Sequence, residues 1–262
     1  WGQCDITYTV PLLGCLYYLI KGKNWPAFIW FGISLSFKLQ AIFLAPLLIF
    51  MLFKGKVKLY HFLAIPGVYF LTILPCVIAG RPLSNLMLIY VNLVGDYPQL
   101  SYGFPNIYQW LTGDYEIFKN GGIALTAAAV CFFGYLAYKS KRKINPEFMV
   151  RLSLLFFLVI PFVMPGMHER YYFPADVLSI VLAFYRPRYT YVAVAVNAIS
   201  FFSYLDNLFR AYIIEPKYLS IIALALIIKY CYDFIGFLLS PESNDPFETN
   251  VYFSGNDTSL FY

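Results

Sequence analysis

Charge is scarce in this chain. Asp, Glu, Lys and Arg make up 13% of its 262 residues, while 60% are hydrophobic and 21% aromatic; an ordinary soluble domain carries about 25% charged residues. With a mean hydropathy of +0.65, the composition excludes a water-soluble globule and predicts an all-α, polytopic membrane protein of roughly eight or nine spans at ~20 residues each. Cysteine motifs are missing too. Cys15, Cys76, Cys131 and Cys231 fall singly inside apolar runs and Cys4 at the edge of one. With no Cys-x-x-C pair and no Cys/His spacing, they are expected to be buried thiols, neither a disulfide framework nor a zinc site. No two carboxylates stand at metal-ligand spacing, so no metal and no cofactor is expected. The span pattern shows no internal repeat, which weighs against a transporter, and no nucleic-acid partner is expected.

Apolar runs occupy about 6 to 20, 26 to 53, 61 to 80, 121 to 138, 148 to 165, 172 to 185, 189 to 205 and 218 to 239. Residues 26 to 53 are long enough for one helix with Lys38 near its middle, or for two short helices meeting at Phe37, Lys38, Leu39 and Gln40. Charge asymmetry decides. Lys21 and Lys23; Lys54, Lys56 and Lys58; Lys139, Lys141, Arg142 and Lys143; and Arg186 and Arg188 make 11 of the 19 Lys and Arg. Short basic loops mark the cytoplasmic side. All four lie on that side only if 26 to 53 goes out and returns as a hairpin, which also removes Lys38 from the hydrocarbon centre, where it would cost ~2.5–3.5 kcal/mol.

Counting onward, residues 1 to 5, the 37 to 40 turn, the loop 81 to 120, the 166 to 171 cluster and residues 206 to 217 fall on the extracytoplasmic face. A transmembrane domain over 1 to 240 would then be followed by a polar cytoplasmic tail of weak order at 241 to 262, where the sequon at Asn256 is no glycan acceptor. The outer loop carries Tyr90, Tyr97, Tyr102, Phe104, Tyr108 and Trp110. Residues 82 to 94 have near-helical apolar spacing and are expected to lie as a helix in the membrane interface. These rings read either as an aromatic belt or as a lid facing a sugar or lipid. The chain opens at Trp1 with neither an initiator Met nor a charged leader, as expected of an N-terminally incomplete protein.

Ionisable groups at membrane depth tend to mark function. His168 and Arg170 beside Lys38, all on one face, present cationic and hydrogen-bonding groups to an anion whose tail lies in lipid. Phosphate is the natural partner. Arginine offers a planar fork, lysine a point charge, and imidazole a proton or a hydrogen bond. Asp5 and Glu169 could orient those cations or bind sugar hydroxyls. Each has a plainer reading: Glu169 and Arg170 as an interfacial ion pair, Lys38 reaching for headgroups, Asp5 as a helix cap. Elsewhere His61 is expected at an interface, Arg151 to snorkel from the inner end of its span, and Lys229 and Asp233 to pair across one helical turn.

Trp1 to Asp5, then Ser36-Phe37-Lys38-Leu39-Gln40 followed by Pro46, then Met167-His168-Glu169-Arg170-Tyr171 resemble, in that order and spacing, a GT-C-type membrane glycosyltransferase. The likeness covers about residues 1 to 185 and is nearest to bacterial enzymes similar to glycosylphosphatidylinositol mannosyltransferases, which use polyprenyl-phosphate sugars. The dolichyl-phosphate-glucose-dependent glucosyltransferases are similar more faintly, with His-Glu-Lys where this chain has His168, Glu169 and Arg170. The resemblance implies transfer of a hexose, mannose favoured, from a polyprenyl-phosphate donor to a glycan or lipid acceptor on the extracytoplasmic face, with inversion. It implies that His168, Arg170 and Lys38 hold the donor phosphate, that Gln3, Gln40, Glu169 and Tyr171 line the pocket, and that Asp5 faces the sugar or acceptor. In this family the general base comes from an outer loop upstream of where this chain begins, which leaves Asp5 as the one outer N-terminal acid to substitute. The competing classes are a lipid-linked saccharide flippase and a non-catalytic lipid-binding remnant.

Overall fold

The structure, a computed structural model, describes residues 4–90, 99–209 and 213–240, with 206 and 207 as backbone only. Gln3, the tail at 241 to 262 and part of the expected interfacial helix lie outside them. The described chain is all-α apart from one pair of two-residue strands.

Helices α1 (Ile6–Ile20) and α2 (Asn24–Phe37) form a hairpin whose tight turn needs the left-handed backbone of Gly22, at φ +67°. Small residues let them close up. A methyl group at Gly14 would stand 2.9 Å from the Trp30 ring, and one at Gly32 3.0 Å from Val68 Cβ on α4 (Ala64–Ile78). Close backbone approach of this kind drives helix association in lipid, where apolar burial adds little.

The chain then doubles back at Lys38, as the hairpin reading of 26 to 53 expects. Lys38 is extended (φ −156°, ψ 131°), ends α2 and opens a 3-10 turn (Leu39–Leu44) that runs into α3 (Ala45–Phe53). A second 3-10 turn (Leu59–Leu63) leads to α4, and α5 (Leu83–Met87) lies near the start of the loop that runs from 81 to 120. The interfacial helix expected over 82 to 94 is therefore shorter within the described residues. Its place is fixed by two tyrosines: Tyr69 donates to the Leu86 carbonyl (2.7 Å) and Tyr90 to that of Leu35 (2.6 Å).

The second half contains α6 (Tyr115–Lys139), α7 (Pro146–Val163), α8 (Phe173–Tyr185), α9 (Thr190–Phe209) and α10 (Pro216–Leu239). Asp114 and Asn145 start α6 and α7 by accepting the backbone N–H groups of Ile117 and Phe148, each satisfying one orphan donor of a first turn. Among the described residues, four stretches are long and apolar enough to cross a membrane: Leu59–Ile78, Tyr115–Lys139, Pro146–Val163 and Pro216–Leu239. Pro146–Val163 is enclosed over 89% of its apolar window and Leu59–Ile78 over 6%, so α7 is the axis and α4 an outer wall. Phe70, Leu71 and Ile78 on α4 are exposed. An apolar surface of this extent needs lipid rather than water beside it, and the protein is a membrane protein.

Hydrogen bonds gather the four basic loops at one end. Asn24 donates to the Lys56 carbonyl (3.0 Å), Lys54 to that of Ser140 (3.3 Å), and Arg186 to the Glu147 carboxylate (2.9 Å). The Lys38 turn and the 166 to 171 segment lie at the other end, since α7 and α8 run between the two.

Two expectations are corrected. Arg151 does not snorkel; it is 1% exposed, binds Glu147 through Nε and Nη2 (2.8 and 2.5 Å) and donates to the Tyr189 hydroxyl (2.6 Å). Glu147 also pairs with Arg186, and this local pairing satisfies a charge that would otherwise have to reach for water. Among the cysteines only Cys15 is buried; Cys231 is intermediate, and Cys4, Cys76 and Cys131 are exposed. Hydrophobicity does not distinguish a core position from one that faces lipid. His61 is buried at the basic end, stacked on Phe28.

Candidate functional site

Asp5 immediately precedes α1, in the N-cap position, yet its side chain makes no capping hydrogen bond. That reading is corrected: the carboxylate turns instead to Lys38, with which it forms a close ion pair. Its other oxygen lies 3.8 Å from Arg170 Nε. Two cations thus flank one carboxylate, and Lys38 also sits over the rings of Tyr8 (5.1 Å) and Tyr171 (5.0 Å). Tyr8 is three residues past Asp5 and so shares its helix face.

His168 is placed by the strand pair. β1 (Ser101–Tyr102) and β2 (Met167–His168) are parallel, with Tyr102 opposite His168. Gly166, at φ +75°, donates its N–H to the Leu100 carbonyl (2.8 Å); a side chain there would strain the turn that feeds β2. The register brings the Tyr102 ring flat against the imidazole, 4.6 Å between centroids and 16° between planes. The 3-10 turn Glu169–Tyr172 follows at once. Glu169 approaches Arg170 Nη1 (3.3 Å) and His168 Nδ1 (3.9 Å).

The described part of the loop before α6 is pinned beside this cluster. Tyr108 donates to the Val163 carbonyl at the end of α7 (2.7 Å), passing over Gly122, where a methyl group would overlap its hydroxyl. Trp110 donates to Ser220 on α10 (2.7 Å).

Burial sets the electrostatics. Desolvation first, then the charges of Arg170 and Lys38, lower the His168 pKa to about 4, so the imidazole is neutral at pH 7. Burial raises the Glu169 pKa against the opposing pull of Arg170. Burial lowers that of Lys38, and Asp5 opposes it. A neutral imidazole close enough to two cations to feel their charge offers a directed hydrogen bond without a third positive charge. The arrangement brings two cations, two carboxylates and a neutral imidazole together, with Asp5 already standing as the anion between Lys38 and Arg170.

Of the residues singled out from sequence, Asp5, Lys38, His168, Glu169, Arg170 and Tyr171 come together. Gln40 is half-buried on the 3-10 turn after Lys38 and takes no part in these ion pairs; Gln3 lies outside the described residues. Among the described residues no group of three or more His, Cys, Asp or Glu could hold a metal ion. Tyr8 went unnoticed, though its spacing from Asp5 was a signal. The pairing of Tyr102 with His168 left none, since a two-residue strand has no periodicity to read. Asp176 on α8 was missed as well; it is 7% exposed and accepts from Ser200 (2.7 Å). Comparison of the chain with protein-family models, with curated proteins and with solved structures finds no match.

Proposed function

We propose that this protein is a membrane glycosyltransferase that moves a hexose, mannose favoured, from a polyprenyl-phosphate donor to a glycan or lipid acceptor. The supporting observation is the convergence of Asp5, Lys38, His168, Glu169 and Arg170, drawn from three distant parts of the chain, at the end of the bundle opposite the basic loops. In this reading the basic end is cytoplasmic. The chain crosses nine times, through α1, α2, α3, α4, α6, α7, α8, α9 and α10, and the cluster faces the extracytoplasmic side. The 15-residue helix Ile6–Ile20 spans about 22 Å, so the bilayer thins or the cluster sits within the headgroup layer.

Arg170 and Lys38 exchange the Asp5 carboxylate for the donor phosphate, Arg170 through two oxygens, and His168 donates a hydrogen bond to the oxygen that bridges phosphorus and the anomeric carbon. An acceptor hydroxyl attacks that carbon from the opposite face, the carbon–oxygen bond to phosphate breaks, and the lipid phosphate leaves with the bonding electrons. The hydroxyl proton passes to a carboxylate, Asp5 or one supplied with the acceptor. Positive charge preorganised at the leaving group stabilises it as it forms. Tyr171 and Tyr102 supply flat surfaces for a sugar ring.

The test is transfer from polyprenyl-phosphate mannose in proteoliposomes. Arg170→Ala and His168→Ala each abolish transfer while still inserting and unfolding cooperatively, and Lys56→Ala, at the basic end, keeps it. Wild-type rates from both site variants would overturn the assignment.

A further inference from the structure

Helices α3 and α6 leave a groove between them that sugar transfer does not use. Its cavity of about 540 Å³ is lined by apolar and aromatic side chains, among them Pro46, Ile49 and Phe53 on α3 and Cys131, Tyr135 and Tyr138 on α6. Ile49, Phe53, Tyr135 and Tyr138 are exposed, so the groove opens sideways towards hydrocarbon. We propose that it binds one anionic phospholipid from the leaflet at the basic end, with an acyl chain along the groove and the phosphate between Lys54 and Lys139.

The groove has the shape of a chain site. Gly134, on its α6 wall, leaves room that a side chain would fill: a methyl group built there meets nothing within 4 Å. From Pro46 to Phe53, α3 rises about 10 Å, against roughly 15 Å for the hydrocarbon of one leaflet. Both helices run towards the basic end, since α3 descends from the Lys38 turn and α6 finishes at Lys139. The groove therefore lies along the acyl chains of the leaflet on that side.

Charge at its mouth selects the headgroup. Lys54 directly follows Phe53, and Lys139 directly follows Tyr138, so each wall delivers a cation to the same end. Lys54 donates to the Ser140 carbonyl (3.3 Å) and lies 5.1 Å from the centre of the Tyr138 ring, while Lys139 lies 5.6 Å from that of Tyr135. Both rings line the cavity, and their faces hold the ammonium groups at its rim. Among the described residues neither lysine has a carboxylate partner; the acid that opens α7, Glu147, is taken by Arg151 and Arg186. A headgroup with net negative charge supplies the missing counter-charge, whereas a choline headgroup brings an ammonium of its own. A second copy of the chain docked here by two-fold symmetry would bring the same two lysines from each side, which disfavours it as the occupant.

The experiment uses the full chain in nanodiscs of phosphatidylcholine, with and without phosphatidylglycerol. Tm is read first, because a ligand that binds only the folded state stabilises it by mass action; native mass spectrometry then counts the phosphatidylglycerol retained on release. Phosphatidylglycerol raises Tm by several degrees and one molecule is retained. Gly134→Leu, which fills the groove, and the Lys54→Gln, Lys139→Gln double variant, which strips its mouth, each lose both signals, measured against their own Tm in phosphatidylcholine. Two controls keep both: Gly67→Leu, which also adds a side chain in open space but on α4, and the Lys21→Gln, Lys23→Gln double variant, changed at the basic end away from the groove. No rise with phosphatidylglycerol, an undiminished rise in either groove variant, or an equal loss in either control would overturn the proposal. So would a dimer cross-linked through Cys131 in phosphatidylcholine that Gly134→Leu abolishes, since a second copy would then fill the groove.

Discussion

Replacing Asp5 by Asn leaves Lys38 and Arg170 facing each other with their shared counter-charge gone. The Asp5 and Lys38 side chains are 10% and 23% exposed, so the pair is neither fully hydrated nor fully dry. At an effective dielectric constant near 20, two unit charges in contact attract by about 4 kcal/mol. Desolvation returns part of that, and hydrogen bonds to charged groups net about 1.5–3 kcal/mol. Arg170, 3.8 Å from the other Asp5 oxygen, remains as a partner when Lys38 is removed, which lowers the coupling further. A double-mutant cycle of Asp5→Asn and Lys38→Met, read by thermal unfolding in neutral lipid, therefore yields a coupling of about 1–2 kcal/mol. Each single variant also loses donor binding, because one frees a cation that wanders and the other deletes it. Additive effects, within about 0.3–0.5 kcal/mol, would mean that the N-terminal segment does not meet the Lys38 turn, and the site would lose its geometry.

Glu147→Gln removes the carboxylate that binds the buried Arg151 and pairs with Arg186; thermal unfolding shows a loss of about 3–5 kcal/mol, and a second change, Arg151→Met, recovers part of it. Lowering of the His168 pKa from 6.5 to about 4 means that the unfolded chain takes up a proton the fold refuses. The sign follows: stability is complete above pH 6.5 and falls as pH drops towards 4. The Tm of wild type declines relative to His168→Gln across that window, and a constant difference from pH 4 to 8 would contradict the buried imidazole. Gly122→Val displaces Tyr108 from the Val163 carbonyl; transfer falls at least tenfold, or protease cutting within 99 to 114 rises, with α7 still protected from hydrogen exchange.

Much of this was readable because it is local or statistical. Eight apolar runs became helices, and the doubling back at Lys38 followed from where the lysines and arginines fall. Lys229 and Asp233, one turn apart, pair as helical spacing requires. What was hidden depends on long-range partners. Arg151 looks like a snorkelling cation until Arg186, 39 residues from Glu147, closes the cluster around it. Asp5 looks like a cap because the local rule for a carboxylate before a helix is strong, and only tertiary structure brings Lys38 close enough to compete. The stacking of Tyr102 on His168 hangs on a parallel register between segments 66 residues apart, which no local propensity encodes. Cys76 and Cys131 were misplaced because lipid and protein core select the same residues.

The central claim is that Lys38 and His168 share one face while the basic loops share the other. Single cysteines at Lys38, His168, Lys56 and Lys141, in a background without the five native ones, can be probed in sealed vesicles with a membrane-impermeant maleimide. Lys38→Cys and His168→Cys label from the same side, and Lys56→Cys and Lys141→Cys label only from the opposite side. Labelling of Lys38→Cys and His168→Cys from different sides, or of Lys38→Cys together with Lys56→Cys, would contradict it.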